Sequence, residues 1–217
     1  MNGDGKKDIV AVFAQGDESV YIFYQKDNLK FHAKRVLRFP PNCGTTDLYL
    51  TDYNHDHLVD IVTVHGDNAD YSDILKPYHG IRLNINTGKE SFREEFFYPI
   101  YGVTRVIADD FDQDGDIDFV ATSFFPDFQR LVRESFIYLE NTDENKCTFK
   151  EYTLKTGTPV KTLALEKADI DGDGDMDIIV GNFSQSPGKV PPELDEKWKS
   201  APYGLTIFFN QLRKSKQ

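Results

Sequence analysis

Four short acidic segments recur along the chain in register: NGDGKKDIV at residues 2–10, DYNHDHLVDIV at 52–62, DFDQDGDIDFV at 110–120 and DIDGDGDMDII at 169–179. Their final aspartates, Asp8, Asp60, Asp118 and Asp177, are 52, 58 and 59 residues apart. One acidic turn per unit, followed each time by an apolar run, restricts the chain to a repeat architecture with the period of a propeller blade. The 217 residues, 39% apolar and 13% aromatic, suffice for a real core.

Each loop offers side-chain oxygens at positions 1, 3, 5 and 9, with glycine at position 6 in three of the four. Carboxylates packed this closely repel one another by several kcal/mol, on the order expected for unscreened near neighbours, unless a cation sits among them. Several hard oxygen donors around a backbone turn suit calcium; magnesium demands a stricter octahedron and more water. The third and fourth copies hold complete sets: Asp110, Asp112, Asp114 and Asp118, and Asp169, Asp171, Asp173 and Asp177, each joined by a position 7 carbonyl, from Asp116 and Asp175. The second supplies Asp52, Asn54, Asp56, the Leu58 carbonyl and Asp60, but has His57 where glycine is expected. A histidine occupies left-handed space only at some cost, so weaker binding is expected there. The first copy starts at position 2 of the loop, leaving Asn2, Asp4 and Asp8 without a first ligand.

An EF-hand also begins DxDxDG, but it requires a bidentate glutamate at position 12 and flanking amphipathic helices. Position 12 here is Ala121 or Val180, and the flanks read as strands. Acidic turns that are merely solvated could account for one loop but hardly for four in register.

These loops, each followed by DIV, DFV or DII, resemble the FG-GAP or VCBS repeat family, the calcium-looped blades of integrin alpha-subunit propellers and many bacterial surface proteins. The resemblance covers nearly the whole chain and implies an all-β propeller, usually of seven blades, with calcium in the turn between the first two strands of each blade. It implies no single activity. His57, the missing first ligand of the first copy and a repeat count short of seven depart from the pattern.

Alternation between the loops predicts fourteen strands and no long helix. With blade strands labelled a to d and the acidic loop between a and b, their order is bcd, abcd, abcd, abc. Residues 1–217 are thus expected to form a single region of about four blades of four antiparallel strands, some incomplete. An arc of a larger ring is expected, either a fragment or a subunit completed by self-association or by another chain through exposed blade edges.

Up-and-down topology sends three long b-to-c connections, residues 65–80, 123–136 and 182–204, to the face opposite the acidic loops. That face gathers Tyr71, Tyr78, Phe125, Phe128, Arg130, Arg133, Trp198 and Tyr203, a mixture suited to a protein or glycan ligand. The other reading is that these aromatics fold back as plugs over the blade tops.

The net charge of −11 argues against nucleic acid and anionic membrane surfaces as partners, and no apolar run approaches a membrane span. The chain opens with neither a basic n-region nor an apolar h-region. Abundant calcium fits an extracellular, cell-surface or periplasmic setting. Cys43 and Cys147 are too few for a disulfide framework. His55 and His57 read as surface residues beside an acidic loop, while His65 and His79 bracket a long loop and could form an acid–base or transition-metal site with Asp67 or Asp73. No nucleophile elbow, HExxH or phosphate-cradling loop is present. A non-catalytic binding or adhesion module is the leading expectation. The alternatives are a polysaccharide lyase or hydrolase built on the long loops, and a structural spacer.

Overall fold

The computed structural model describes residues 1–68, 74–129, 132–154, 162–183, 190–200 and 204–212. Four antiparallel sheets follow one another along the chain. The first holds β1 (Ile9–Phe13), β2 (Ser19–Gln25) and β3 (Phe31–Arg38); the second β4 (Thr45–Thr51), β5 (Asp60–His65), β6 (Gly80–Asn86) and β7 (Phe92–Pro99). The third holds β8 (Val103–Asp109), β9 (Asp118–Ser123), β10 (Phe136–Asp143) and β11 (Thr148–Thr153); the fourth β12 (Thr162–Ala168), β13 (Asp177–Asn182) and β14 (Leu205–Phe208). Among the described residues, strand number and the order bcd, abcd, abcd, abc agree with the alternation pattern. The architecture is all-β, with sheets consistent with propeller-like blades.

Position within a blade follows from composition. The b strands β5 (DIVTVH) and β9 (DFVATS) are buried at every residue, whereas the charged d strands β7 (FREEFFYP) and β11 (TFKEYT) leave most residues partly or fully exposed. A strand covered on both faces can be apolar throughout, while an outer strand alternates.

The core lies between blades. Val62, Val64, Ile81 and Leu83 of the second sheet meet Val103, Val106, Phe119, Ala121, Ile137 and Leu139 of the third. Ile107, Phe111, Val120 and Phe136 then meet Leu165 and Val180 of the fourth. Fully burying side chains of this size stabilises by about 1.5–3 kcal/mol each, so adjacent blades hold one another rather than standing alone. Gly66 marks how closely they approach: a Cβ there would lie 2.0 Å from the Val103 carbonyl oxygen.

The inner strands carry a repeated irregularity. Register shifts between Thr45 and Asp47, Val103 and Arg105, and Thr162 and Ala164 leave one residue unpaired at the same place in three blades. Such a bulge frees backbone carbonyls for a neighbouring blade. The Arg105 Nε donates to the Leu163 carbonyl at 3.0 Å, and the Thr46 hydroxyl donates to the Val103 carbonyl at 3.3 Å.

One element departs from the expected loops. Within residues 182–204, α1 spans Pro192–Ser200. Proline suits the start of a helix, Glu193 and Asp195 sit in its first turn, and Lys197 and Lys199 sit in its last, complementing the helix dipole. Lys199 pairs with Asp195 at 2.6 Å, one turn back.

Candidate metal centre

The acidic loops share one hydrogen-bonding scheme. At position 1, the Oδ2 atoms of Asp52, Asp110 and Asp169 accept the position 6 N–H of His57, Gly115 and Gly174 at 3.0, 3.1 and 3.1 Å. At position 3, Asn54, Asp112 and Asp171 accept the position 5 N–H at 3.3, 3.2 and 3.3 Å. At position 5, Asp56, Asp114 and Asp173 accept the position 7 N–H at 2.8, 2.9 and 3.1 Å. The first copy keeps the last two bonds through Asn2 and Asp4, at 3.2 and 3.0 Å.

Two residues per loop are left-handed, not one. Position 6 has φ of 78°, 68°, 103° and 95° at Gly5, His57, Gly115 and Gly174, as the glycine pattern implies. Position 4 has φ of 75°, 56°, 60° and 79° at Gly3, His55, Gln113 and Gly172. His57 bears its left-handed backbone and still donates to Asp52, so it does not break the second loop.

The copies differ instead in how their side chains converge. Among the described residues, Asp110, Asp112 and Asp114 bring one carboxylate oxygen each within 4.8 Å of one another, and so do Asp169, Asp171 and Asp177. Burial, together with the neighbouring Asp114 and Asp110, raises Asp112 above the usual carboxylate range despite the Asp114 N–H it accepts. In the first and second copies the position 3 asparagine spends its amide on the position 5 carboxylate, Asn2 to Asp4 at 3.2 Å and Asn54 to Asp56 at 3.1 Å. An internal amide donor takes up negative charge that a cation would otherwise neutralise. All-oxygen sets that crowd like charges with several lone pairs left over suit a hard divalent ion. Two further oxygens fit that chemistry: Asp52 Oδ1 and Asp175 Oδ1 are buried without a hydrogen-bond partner.

The position 9 aspartates do something composition did not suggest. Asp60, Asp118 and Asp177 are fully buried at the starts of the b strands. The Oδ2 atom accepts the position 2 N–H of the same loop, from Tyr53 at 2.9 Å, Phe111 at 3.1 Å and Ile170 at 2.8 Å. The Oδ1 atom accepts a backbone N–H at the end of the c strand, from Asn86 at 2.7 Å, Asn141 at 2.7 Å and Asn210 at 2.9 Å. In the first copy Asp8 accepts from the Gln25 N–H at 2.9 Å and pairs with the Met1 amino group at 3.0 Å. The Tyr138 hydroxyl adds a third donor to Asp118 at 2.8 Å. Burial still raises Asp118 to about 6, against the donors that favour its charged form. These aspartates therefore strap loop, b strand and c strand together. The asparagines escape a reading of the acidic loops because they lie a strand pair away; two of them reach into the preceding blade, Asn141 to the Tyr53 hydroxyl at 3.1 Å and Asn210 to the Phe111 carbonyl at 2.7 Å.

The loops also touch one another. His55 Nε2 lies 2.9 Å from the Gly115 carbonyl oxygen and 3.7 Å from Glu144 Oε2, so it is more than surface decoration. Gln113 makes the corresponding bond to the Gly174 carbonyl at 3.1 Å.

On the opposite side, Trp198 is 5% exposed and packs edge-on against half-buried Phe128, ring centroids 5.7 Å apart, so Trp198 is a plug rather than a display. Tyr78 and Phe125 are half-buried, each edge-on to its neighbour, His79 and Phe124. Tyr71, Arg130, Tyr203 and the side chain of Arg133 lie outside the described residues, as does Asp73. His65 is a core residue held by the Thr45 and Thr63 hydroxyls at 2.9 and 3.0 Å, with burial lowering it to about 3. His79 is buried with neither ring nitrogen partnered; burial, then Lys76, lowers it to about 4. An unfolded histidine protonates near 6.5, so a neutral buried ring contributes stability above that pH and loses it as pH falls toward 4. Replacing His79 with Leu is expected to make urea-denaturation stability about 1.4 kcal/mol per pH unit less pH-dependent between 6 and 4.5. An unchanged slope would show that His79 takes up its proton without unfolding.

Cys43 and Cys147 are free thiols, and among the described residues no helix is long and apolar enough to cross a membrane. No curated protein matches the chain. The model of an FG-GAP-like repeat matches residues 1–63 and 110–180, which is more than half of the chain and contains all four acidic loops.

Proposed function

The chain belongs to the FG-GAP-like repeat family, and from that premise we propose that it is a calcium-binding propeller module that docks a protein or glycan outside the cytoplasm. Repeats of this family suggest an adhesion or ligand-binding module, are generally non-catalytic and are typically extracellular or on a surface. The observation that carries the calcium reading is the pair of converging triads, Asp110, Asp112, Asp114 and Asp169, Asp171, Asp177, on loops of one hydrogen-bonding scheme.

In the third loop the ion would be held by Asp110, Asp112, Asp114, the Asp116 carbonyl and Asp118. In the fourth it would be held by Asp169, Asp171, Asp173, the Asp175 carbonyl and Asp177. Asp52, Asn54, Asp56, the Leu58 carbonyl and Asp60 would form a weaker site, since the Asn54 amide already engages Asp56. When bound, the cation supplies charge neutralisation and rigidity, with no redox or acid–base step. The protein's own contribution is to seat each loop at a blade end through the position 9 straps, so that the opposite face is presented by a stiff frame. On that face Tyr78, Phe125 and Phe128 are half-buried and Phe183 is exposed, with Phe128 packed on the buried Trp198.

Isothermal titration with calcium chloride tests this reading. Two strong binding steps are expected, one lost with Asp112→Asn and the other with Asp171→Asn. Retention of both steps in the double variant, or no uptake by the unaltered chain, would overturn it.

A further inference from the structure

Two of the contacts between loops repeat, atom for atom, one blade on. The position 4 side chain of the second loop, His55, reaches the position 6 carbonyl of the third loop, Gly115, at 2.9 Å. Because a carbonyl only accepts, His55 Nε2 carries the proton. The position 4 side chain of the third loop, Gln113, donates to the position 6 carbonyl of the fourth, Gly174, at 3.1 Å.

The receiving peptide is held from both ends. The Gly115 carbonyl accepts from His55, while the N–H across the same peptide bond, that of Asp116, donates to Asp114 Oδ1 at 2.9 Å. In the next blade the Gly174 carbonyl accepts from Gln113, while the N–H of Asp175 donates to Asp173 Oδ1 at 3.1 Å. A peptide plane is rigid, so fixing its carbonyl fixes the direction of its N–H and the carboxylate that N–H holds. The donors are themselves placed by their own loops. Gln113 sits between Asp112 and Asp114, and the Asp114 N–H is held by Asp110 and Asp112 at 3.0 and 3.2 Å.

Backbone conformation argues that these contacts are selected. His55 and Gln113 take φ of 56° and 60° where the first and fourth copies have Gly3 and Gly172. A side chain at a left-handed position costs stability that glycine avoids, and here that cost brings a donor to the next loop. Asp175, 5% exposed with its Oδ1 unpartnered, lies at the receiving end of the series.

We infer that His55 and Gln113 are positioning residues that couple neighbouring acidic loops in one direction, from 52–60 to 110–118 to 169–177, so that each loop preorganises the carboxylates of the next. This rests on the calcium reading above. Ordering a site before the ion arrives raises its affinity because less conformational freedom is lost on binding. The series ends at Gly172, which has no side chain to pass it on.

Calcium titration of paired variants tests the direction. In a chain carrying Asp112→Asn, where binding at 169–177 is read, Gln113→Gly should weaken calcium roughly threefold to tenfold, the range of one net hydrogen bond. Gln113→His, the residue found at this position in the second loop, should restore it. In a chain carrying Asp171→Asn, where binding at 110–118 is read, Gln113→Gly should leave affinity unchanged or higher, because glycine relieves the left-handed backbone. Without calcium, amide exchange at Asp175 should quicken in Gln113→Gly. A weakening confined to 110–118, equal weakening of both loops, or no change in either would overturn the coupling while leaving the calcium reading intact. No calcium uptake by the unaltered chain would overturn both.

Discussion

Replacing Asp118 with alanine is expected to destabilise the protein by about 4 kcal/mol, and saturating calcium is not expected to restore the loss. The aspartate is fully buried and accepts from the Phe111 N–H at 3.1 Å, the Asn141 N–H at 2.7 Å and the Tyr138 hydroxyl at 2.8 Å. Alanine leaves these donors without a partner, and each unsatisfied buried group costs about 1–3 kcal/mol. Asp118→Asn should fall in between, since one oxygen remains and the hydroxyl can turn to accept from the new amide. Urea denaturation at saturating calcium and again in chelator separates two roles. A residue that only ligates an ion would cost stability with calcium and almost nothing without it, whereas a residue that straps the loop and also ligates costs several kcal/mol in chelator and more with calcium. If alanine at 118 is tolerated within 1 kcal/mol in chelator, the strap reading fails.

What could be read from sequence and what could not follow a physical line. The acidic loops and fourteen strands are local patterns: an oxygen donor at every other position, a glycine at position 6, and alternation or continuous burial set by each strand's place in its blade. Contacts that depend on topology leave no such local trace. Asn86 meets Asp60 across 26 residues and Asn210 meets Asp177 across 33, so no fixed spacing links an asparagine to its aspartate. Position 4 carries no signature in sequence because its four occupants, Gly3, His55, Gln113 and Gly172, share no side-chain chemistry, only a left-handed backbone. His57 takes the left-handed backbone expected of position 6. Its N–H still reaches Asp52, and the Asn54 amide engaged with Asp56 is a second feature of that loop, one that depends on side-chain geometry rather than on the missing glycine. Helix α1 was hidden by the proline and glycine around it, and Trp198, flanked by lysines in sequence, is buried because helical geometry turns one side of PELDEKWKS toward Phe128.

Removing calcium with a chelator should lower the melting temperature by roughly 10 °C, and the size of that fall follows from mass action. Extracellular calcium modules bind with dissociation constants near 10⁻⁴ M, so at about 2 mM calcium each filled site stabilises the folded chain by about 1.8 kcal/mol. Two converging triads together supply about 3.6 kcal/mol. For a chain of this length each kcal/mol moves the transition by about 2–4 °C. The ions would also cancel about four of the eleven excess negative charges, and without them the three carboxylates of each triad repel one another at close range. Magnesium should recover only part of the loss, because its smaller octahedral shell sheds water reluctantly. Thermal denaturation followed by circular dichroism, in calcium, in chelator and in chelator with excess magnesium, measures all three states. The double variant Asp112→Asn, Asp171→Asn should melt at nearly the same temperature with and without calcium, since each substitution removes a carboxylate from one converging triad. An unaltered chain that melts identically in calcium and in chelator would mean that the triads settle their own repulsion, by proton uptake at residues such as Asp112, and that no cation is part of the fold.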